Sequence, residues 1–358
     1  MNIAYQRLQN QQIAQHQFAA PHEVVAWLGA VQAQDYGAAK WAVGLRLPGC
    51  TDAAVAQAVA DGTILRTHIL RPTWHFVAPT DIRWMLALTA PRVHALNAYW
   101  YRKLELDDAL FRRIHAALEA ALRGGRQLTR PEIATVLRRA GIPSEDVQPR
   151  FAYIMMHAEL EGLVCSGGMR GKQFTYSLLE ERAPPAATLS RDEALATLTA
   201  RYFHSRGPAT LADFVWWSGL TMADARAGLA LVQSQLVQDD VAGETYWLPP
   251  TTGDSGDISL KVFLLPNFDE YTVGYADRSA VFNTADTTKL GPRASILFSH
   301  TIVVEGQVAG IWKRTIKRQG VIVETEPFSP LDADEARCLD AAVAQYGAFL
   351  NVPVLGGV

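Results

Sequence analysis

The sequence predicts a mainly α protein with α+β units, built from tandem winged-helix (helix-turn-helix) domains and a small C-terminal β-barrel. Three observations predict it. An order of helix, helix, helix, hairpin occupies residues 109–180 and returns roughly 80 residues later. The N-terminal region carries the same order in a more divergent form. From Leu260 the pattern changes to short alternating strands. The boundaries that follow are 1–108, 109–183, 190–250 and 258–358. At 358 residues the chain is too long for one ordinary core, which agrees with several units.

In chain order, the N-terminal region reads as a helix near 21–32, one near 37–45, one near Thr51–Ala60, and a hairpin pairing ILRTHI with TWHFV. Residues ALFRRIHAALEAALRG then place apolar groups at helical spacing, and Thr129-Arg-Pro-Glu132 is a capping box that opens a helix to about Ala140. A third helix from about Ser144 leads into VCSGGMRGKQFTYSL, which reads as strand, glycine-rich loop, strand. After the proline-rich linker ERAPPAATLS, Ser190-Arg-Asp-Glu193, Thr210-Leu-Ala-Asp213 and Thr221 open three more helices, and a hairpin turns at Ala242-Gly243. The strands LKVFLLP, HTIVVEG-QVAGIWKRTIK and GVIVETEPF make the expected barrel, covered by a helix over DADEARCLDAAVAQYGAFL.

Composition narrows the class. Apolar residues make up 49% and charged residues 19%, which fits a packed chain rather than a disordered one. Cys50, Cys165 and Cys338 lie far apart without CxxC spacing, so neither a disulfide framework nor a thiolate zinc site is expected. The expected location is cytoplasmic and nucleoid-associated. No signal-peptide core opens the sequence, and no window approaches the roughly 18 apolar residues of a membrane span. Net charge is −3, yet Arg278–Gly320 carries +5 and Val321–Val358 carries −5. The near-neutral total conceals a basic segment suited to phosphates.

The segment AVQAQDYGAAKWAVGLRL is the most informative in the chain. Gln32, Gln34 and Asp35 stand where an apolar helix ends. Side chains at i and i+2 diverge on a helix but converge if the backbone leaves helical geometry there. The plainer alternative is a set of polar groups capping a helix junction. Arg66, His68, Arg71, Trp74 and His75 concentrate in the first hairpin, where long polar groups can reach phosphates and an aromatic can support a displaced base. His68 and His75 are outside ordinary zinc-ligand spacing, so no metal is expected. Trp216-Trp217 and Tyr202-Phe203 read as core, and Asp269 and Arg278 as a pair holding the barrel to its neighbour.

These stretches, with LLPNFDEYTVGYADRS and HTIVVEGQVAGIWKR, resemble the AlkZ/YcaQ-like winged-helix DNA glycosylases, in short blocks from about Arg7 to Phe349. The family signature is glutamine, an apolar residue, then glutamine or aspartate. Here it matches Gln32-Ala33-Gln34, the form associated with resistance to DNA-alkylating natural products. The resemblance implies a C-shaped basic channel around duplex DNA carrying alkylated bases, and hydrolysis of the N-glycosidic bond of bulky or cationic N7-alkylated purines. Interstrand crosslinks are included in some members. It implies no metal or organic cofactor. Gln32 and Gln34 take the catalytic place, with Asp35 a secondary candidate. Arg66, Arg71, Lys313, Arg314, Lys317 and Arg318 are expected to line one phosphate-facing surface, with His68, Trp74 and His75 completing the DNA-binding set.

The alternatives are a non-enzymatic winged-helix DNA-binding protein or regulator, and a small-molecule sensor. A regulator exposes base-reading side chains and dimerises on a palindrome, whereas a glycosylase works as a monomer. The expected recognition helix, EDVQPRFAYIMMHAELEGL, offers mainly Gln148 and Arg150, which favours the enzyme.

Overall fold

The computed structural model describes residues 2–142, 149–186, 188–250, 262–290 and 295–356. The N-terminal region runs α1 (Ile3–Asn10), α2 (Pro21–Leu28), β1 (Ala30–Gln32), α3 (Tyr36–Leu45), α4 (Asp52–Asp61), β2 (Leu65–Ile69), β3 (Arg71–Val77) and α5 (Ile82–Lys103). Proline at its first position and the Glu23 carboxylate, which accepts from the Ala19 and Ala20 amides, start α2. Gly29 stops it with φ 74° and ψ −47°, a conformation that a Cβ disfavours. The helix expected to reach residue 32 therefore ends four residues early, and Ala30–Gln32 becomes a strand against β3, in the sheet order β1-β3-β2. Helix α5, 22 residues long with Pro91 inside it, was not anticipated.

Next come α6 (Asp108–Leu122), β4 (Leu128–Thr129), α7 (Arg130–Arg139), α8 (Arg150–Leu160), β5 (Val164–Arg170) and β6 (Gln173–Leu178). The Thr129–Glu132 capping box is present. The expected start at Ser144, and the reader Gln148, lie outside the described residues. The order then recurs as α9 (Arg191–Arg206), α10 (Leu211–Ser218), α11 (Met222–Val232), β7 (Val237–Val241) and β8 (Glu244–Leu248). Ser190, Thr210 and Thr221 cap the three helices, and Ala242 and Gly243, both at positive φ, turn the hairpin.

The C-terminal strands are β9 (Val262–Leu265), β10 (Thr301–Val304), β11 (Gln307–Lys317) and β12 (Gly320–Pro327), with the short α12 (Glu270–Val273) before β10 and α13 (Ala333–Leu350) at the end. They do not form the expected barrel. The antiparallel sheet is open, in the order β12-β11-β10-β9, and no described sheet closes on itself. Closure needs the two edge strands to pair. Here the edge at β12 instead takes Val354 of the C-terminal tail in a parallel bridge to Val321, while α13 packs Tyr346 and Phe349 against Trp41.

One apolar cluster joins this sheet to the N-terminal helices, from Ala4 and Leu8 through Trp41 and Val43 to Leu264 and Trp312. Trp41 and Trp312 each donate their indole N–H to a β9 carbonyl, Leu264 O at 2.7 Å and Leu265 O at 2.8 Å. A second cluster combines the β2–β3 hairpin and α5 with α9, α10 and α11, and a third fills the 106–178 segment. No helix of the described residues is long and apolar enough to cross a membrane.

Candidate active site

The site begins with how the backbone leaves α2. Arg206 and Glu270 form a fully buried ion pair, with Arg206 Nη2 2.6 Å from Glu270 Oε2. The same guanidinium donates to Leu28 O (2.7 Å) and Ala30 O (2.9 Å), and Glu270 Oε1 accepts from the Gln32 amide (2.9 Å). Trp217 Nε1 also donates to Glu270 Oε2, at 3.0 Å. This brace grips the chain on both sides of Gly29 and delivers it to β3, where Gln32 pairs with His75 and the Ala33 amide donates to Trp74 O. The strand ends at Gln32 and Gln34 lies in the bend that follows; both side chains reach β3, and the capping role for the junction falls to Asp35, whose Oδ1 accepts from Ala38 N at 3.0 Å and opens α3.

The two amides differ in setting. Gln32 is buried, and its Oε1 accepts from Arg71 Nη2 at 3.0 Å. Gln34 is exposed, and its Oε1 accepts weakly from the Trp74 amide at 3.4 Å. Arg314 reaches in from β11 to within 3.9 Å of Asp35. On β3, alternate residues present three buried polar atoms with no hydrogen bond inside the protein: Arg71 Nε, Thr73 Oγ1 and His75 Nε2. His75 is fully buried with Nδ1 on Thr73 O, and burial followed by the charge of Arg71 holds its pKa well below the usual imidazole value. Burial, and then Arg314, likewise push His300 down to about 4. The result is a set of neutral amides and a neutral imidazole flanked by two guanidiniums. Such groups can orient a water or a substrate oxygen, but offer little proton-abstracting power.

The DNA-binding candidates divide. Lys313, Lys317 and Arg318 are exposed along the β11–β12 hairpin, and Arg314, Arg71 and Trp74 are half-buried beside the glutamines. Arg66, His68 and His75 are buried. Arg66 donates to Ala33 O and to Ser166 Oγ, and its guanidinium lies 4.5 Å from the Trp74 ring centroid and 4.4 Å from that of Phe174. His68 bonds Glu159, which also accepts from Trp74 Nε1. Arg66 and His68 tie the hairpin to its neighbours in this structure rather than face solvent, and the His75 ring bonds within its own strand, to Thr73 O.

Two readings need correction. Tyr202, Phe203 and Trp217 are core, but Trp216 is 41% exposed, with Arg71 and Arg278 5.8 and 5.2 Å from its ring centroid. Asp269 pairs with Arg46 through two 2.9 Å contacts, not with Arg278, which instead donates to Thr272 O and Ala276 O. Sequence reasoning missed Glu270 and Arg206. The one signal was Glu270's place in the FDEY block.

A family model described as "DNA glycosylase AlkZ-like" matches residues 25–349. A relative from Streptomyces sahachiroi, "Interstrand DNA cross-link repair glycosylase", is 26% identical over 372 residues, covering 97% of this chain and 96% of the relative. The solved structure of Streptomyces sahachiroi DNA glycosylase AlkZ superposes with a TM-score of 0.76, covering 99% of this chain and 97% of that one. At 22% identity it establishes likeness of fold.

Proposed function

Since this chain belongs to the AlkZ-like DNA glycosylase family, we propose that it hydrolyses the N-glycosidic bond of bulky or cationic N7-alkylated purines in duplex DNA, with Gln32 and Gln34 holding the attacking water. The relative named as an interstrand cross-link repair glycosylase extends the proposal to crosslinks joined through such bases. The observation that supports the reading is that both amides lie against β3, Gln32 Oε1 accepting from Arg71 Nη2 and Gln34 Oε1 from the Trp74 backbone amide.

Alkylation at N7 makes the base cationic, so it departs neutral and needs little general-acid help. What remains is to place a water against the anomeric carbon of an oxocarbenium-like sugar. An amide can accept from that water through its carbonyl and donate through its NH2 to nearby oxygens, so two amides held against one strand supply orientation. Arg71 holds the Gln32 carbonyl, and the Glu270–Arg206 brace holds the strand beneath it. Lys313, Lys317 and Arg318, with Arg314 and Arg71, supply phosphate contacts, and Asp35 has the lesser role because its carboxylate already caps α3.

The test is incubation of the purified chain with a duplex containing N7-methylguanine or a bulky N7-adduct, followed by strand cleavage at abasic sites. Enzyme-dependent cleavage at the lesion is expected. Tight binding to DNA without excision across a broad lesion panel would instead favour a non-enzymatic DNA-binding protein.

A further inference from the structure

A second cluster of chemically capable side chains lies away from the glutamines, where α5, α6 and α8 meet. His94 comes from α5 and His115 from α6, while His157 and Glu161 stand one helical turn apart at the end of α8. Donor atoms of His94, His157 and Glu161 lie within 4.8 Å of one another. His94 Nε2 is buried and stands 3.0 Å from Glu161 Oε1. In a tetrahedral centre with metal–ligand bonds of about 2.0–2.1 Å, neighbouring donors stand about 3.3 Å apart. The pair's spacing is thus close to that of two ligands of one cation.

The rings are already oriented. Nδ1 of His94 is hydrogen-bonded with the Tyr101 hydroxyl at 2.9 Å, and Nδ1 of His157 with His115 Nε2 at 3.2 Å. The His157 ring also stacks on Phe111, with centroids 3.5 Å apart and planes at 15°. An outer partner on one imidazole nitrogen is the usual device for presenting the other to a metal. A cavity of about 350 Å³, lined by Arg83, Ala87, Pro91 and Gly162 among others, reaches two of the three, His94 and Glu161.

We propose that His94, His157 and Glu161 form a three-ligand site for a zinc-class divalent cation, oriented by Tyr101 and His115, that fastens α5 to α8. Two imidazoles and one carboxylate suit a borderline cation better than calcium or magnesium, which prefer all-oxygen sets. The site is independent of base excision.

The experiment strips an untagged full-length chain with chelator and titrates it with Zn2+ and with Co2+. One equivalent per chain is expected, with the visible absorption of four-coordinate Co2+ displaced by Zn2+, and a melting temperature that rises with Zn2+. His157→Gln and Glu161→Gln should each weaken binding at least about tenfold, and Tyr101→Phe, which leaves all three ligands in place, by about tenfold. The Tyr101 variant decides the matter if a ligand variant fails to fold. Absence of saturable binding, or an affinity unchanged in all of these variants, overturns the proposal.

Discussion

Gln32 and Gln34 were legible in the sequence as residue types in a pattern, but their common partner strand, β3, was not. On the helix that local periodicity favoured they diverge; the chain leaves that helix because Gly29 breaks it and a buried pair some 175 and 240 positions away, Arg206 and Glu270, secures the break. Apart from Glu270's place in the FDEY block, neither partner carries a local signal for this role, since the pair exists only in the folded chain. Glu270→Gln leaves the Arg206 guanidinium buried without its counter-charge, and should destabilise the protein by about 3–5 kcal/mol in urea unfolding. A loss under about 1 kcal/mol would show that the brace does not carry the strand. His300 gives a pH test. Its folded pKa of about 4 lies below the ordinary 6.5, so acid protonates the unfolded chain first; the stability it contributes is complete above about pH 6.5 and declines as pH falls towards 4. Unfolding measured at pH 7 and pH 5 should show His300→Asn losing about 1–2 kcal/mol less than the parent protein, at up to about 1.4 kcal/mol per pH unit.

The elements that the sequence revealed are those with chemical punctuation. The boxes at Thr129, Ser190, Thr210 and Thr221 and the turn at Ala242-Gly243 mark their own ends. Helix α5 has no side-chain cap at Asp81 and carries Pro91 internally, so nothing local announced it. Strand β1 is three residues long and owes its existence to pairing with β3. The open C-terminal sheet was mistaken for a barrel because alternation reports which strands are half-buried, not what covers their edges; α13 and the tail at Val354 do that here. Gly29→Ala tests the transition from α2 to β1. A Cβ there meets Arg201 Cδ at 2.9 Å and the backbone lies at positive φ, so a loss of about 1–3 kcal/mol is expected in denaturant unfolding. Stability equal to the parent protein would mean the junction tolerates an ordinary residue.

At the scale of the whole molecule, the shared core of the N-terminal helices and the C-terminal sheet could not be read from sequence, because contacts such as Trp41 to Leu264 leave no local periodicity. That union is what brings Arg314 of β11 beside Asp35 and sets the basic hairpin next to the glutamines. If the hairpin follows the phosphate backbone, replacing Lys317 and Arg318 with alanine should weaken binding to all duplex sequences about equally, and flatten the log–log salt dependence by about 2. A loss confined to one sequence would point to base reading instead. The central claim, that Gln32 and Gln34 position one water, is tested most directly by single-turnover excision of an N7-alkylguanine under saturating protein. Gln34→Ala should slow excision about 10- to 1,000-fold with DNA affinity little changed, and the Gln32/Gln34 double alanine protein should lose less than the product of the single effects. Excision at the parent rate by the double variant would contradict the account and place the chemistry elsewhere in the chain.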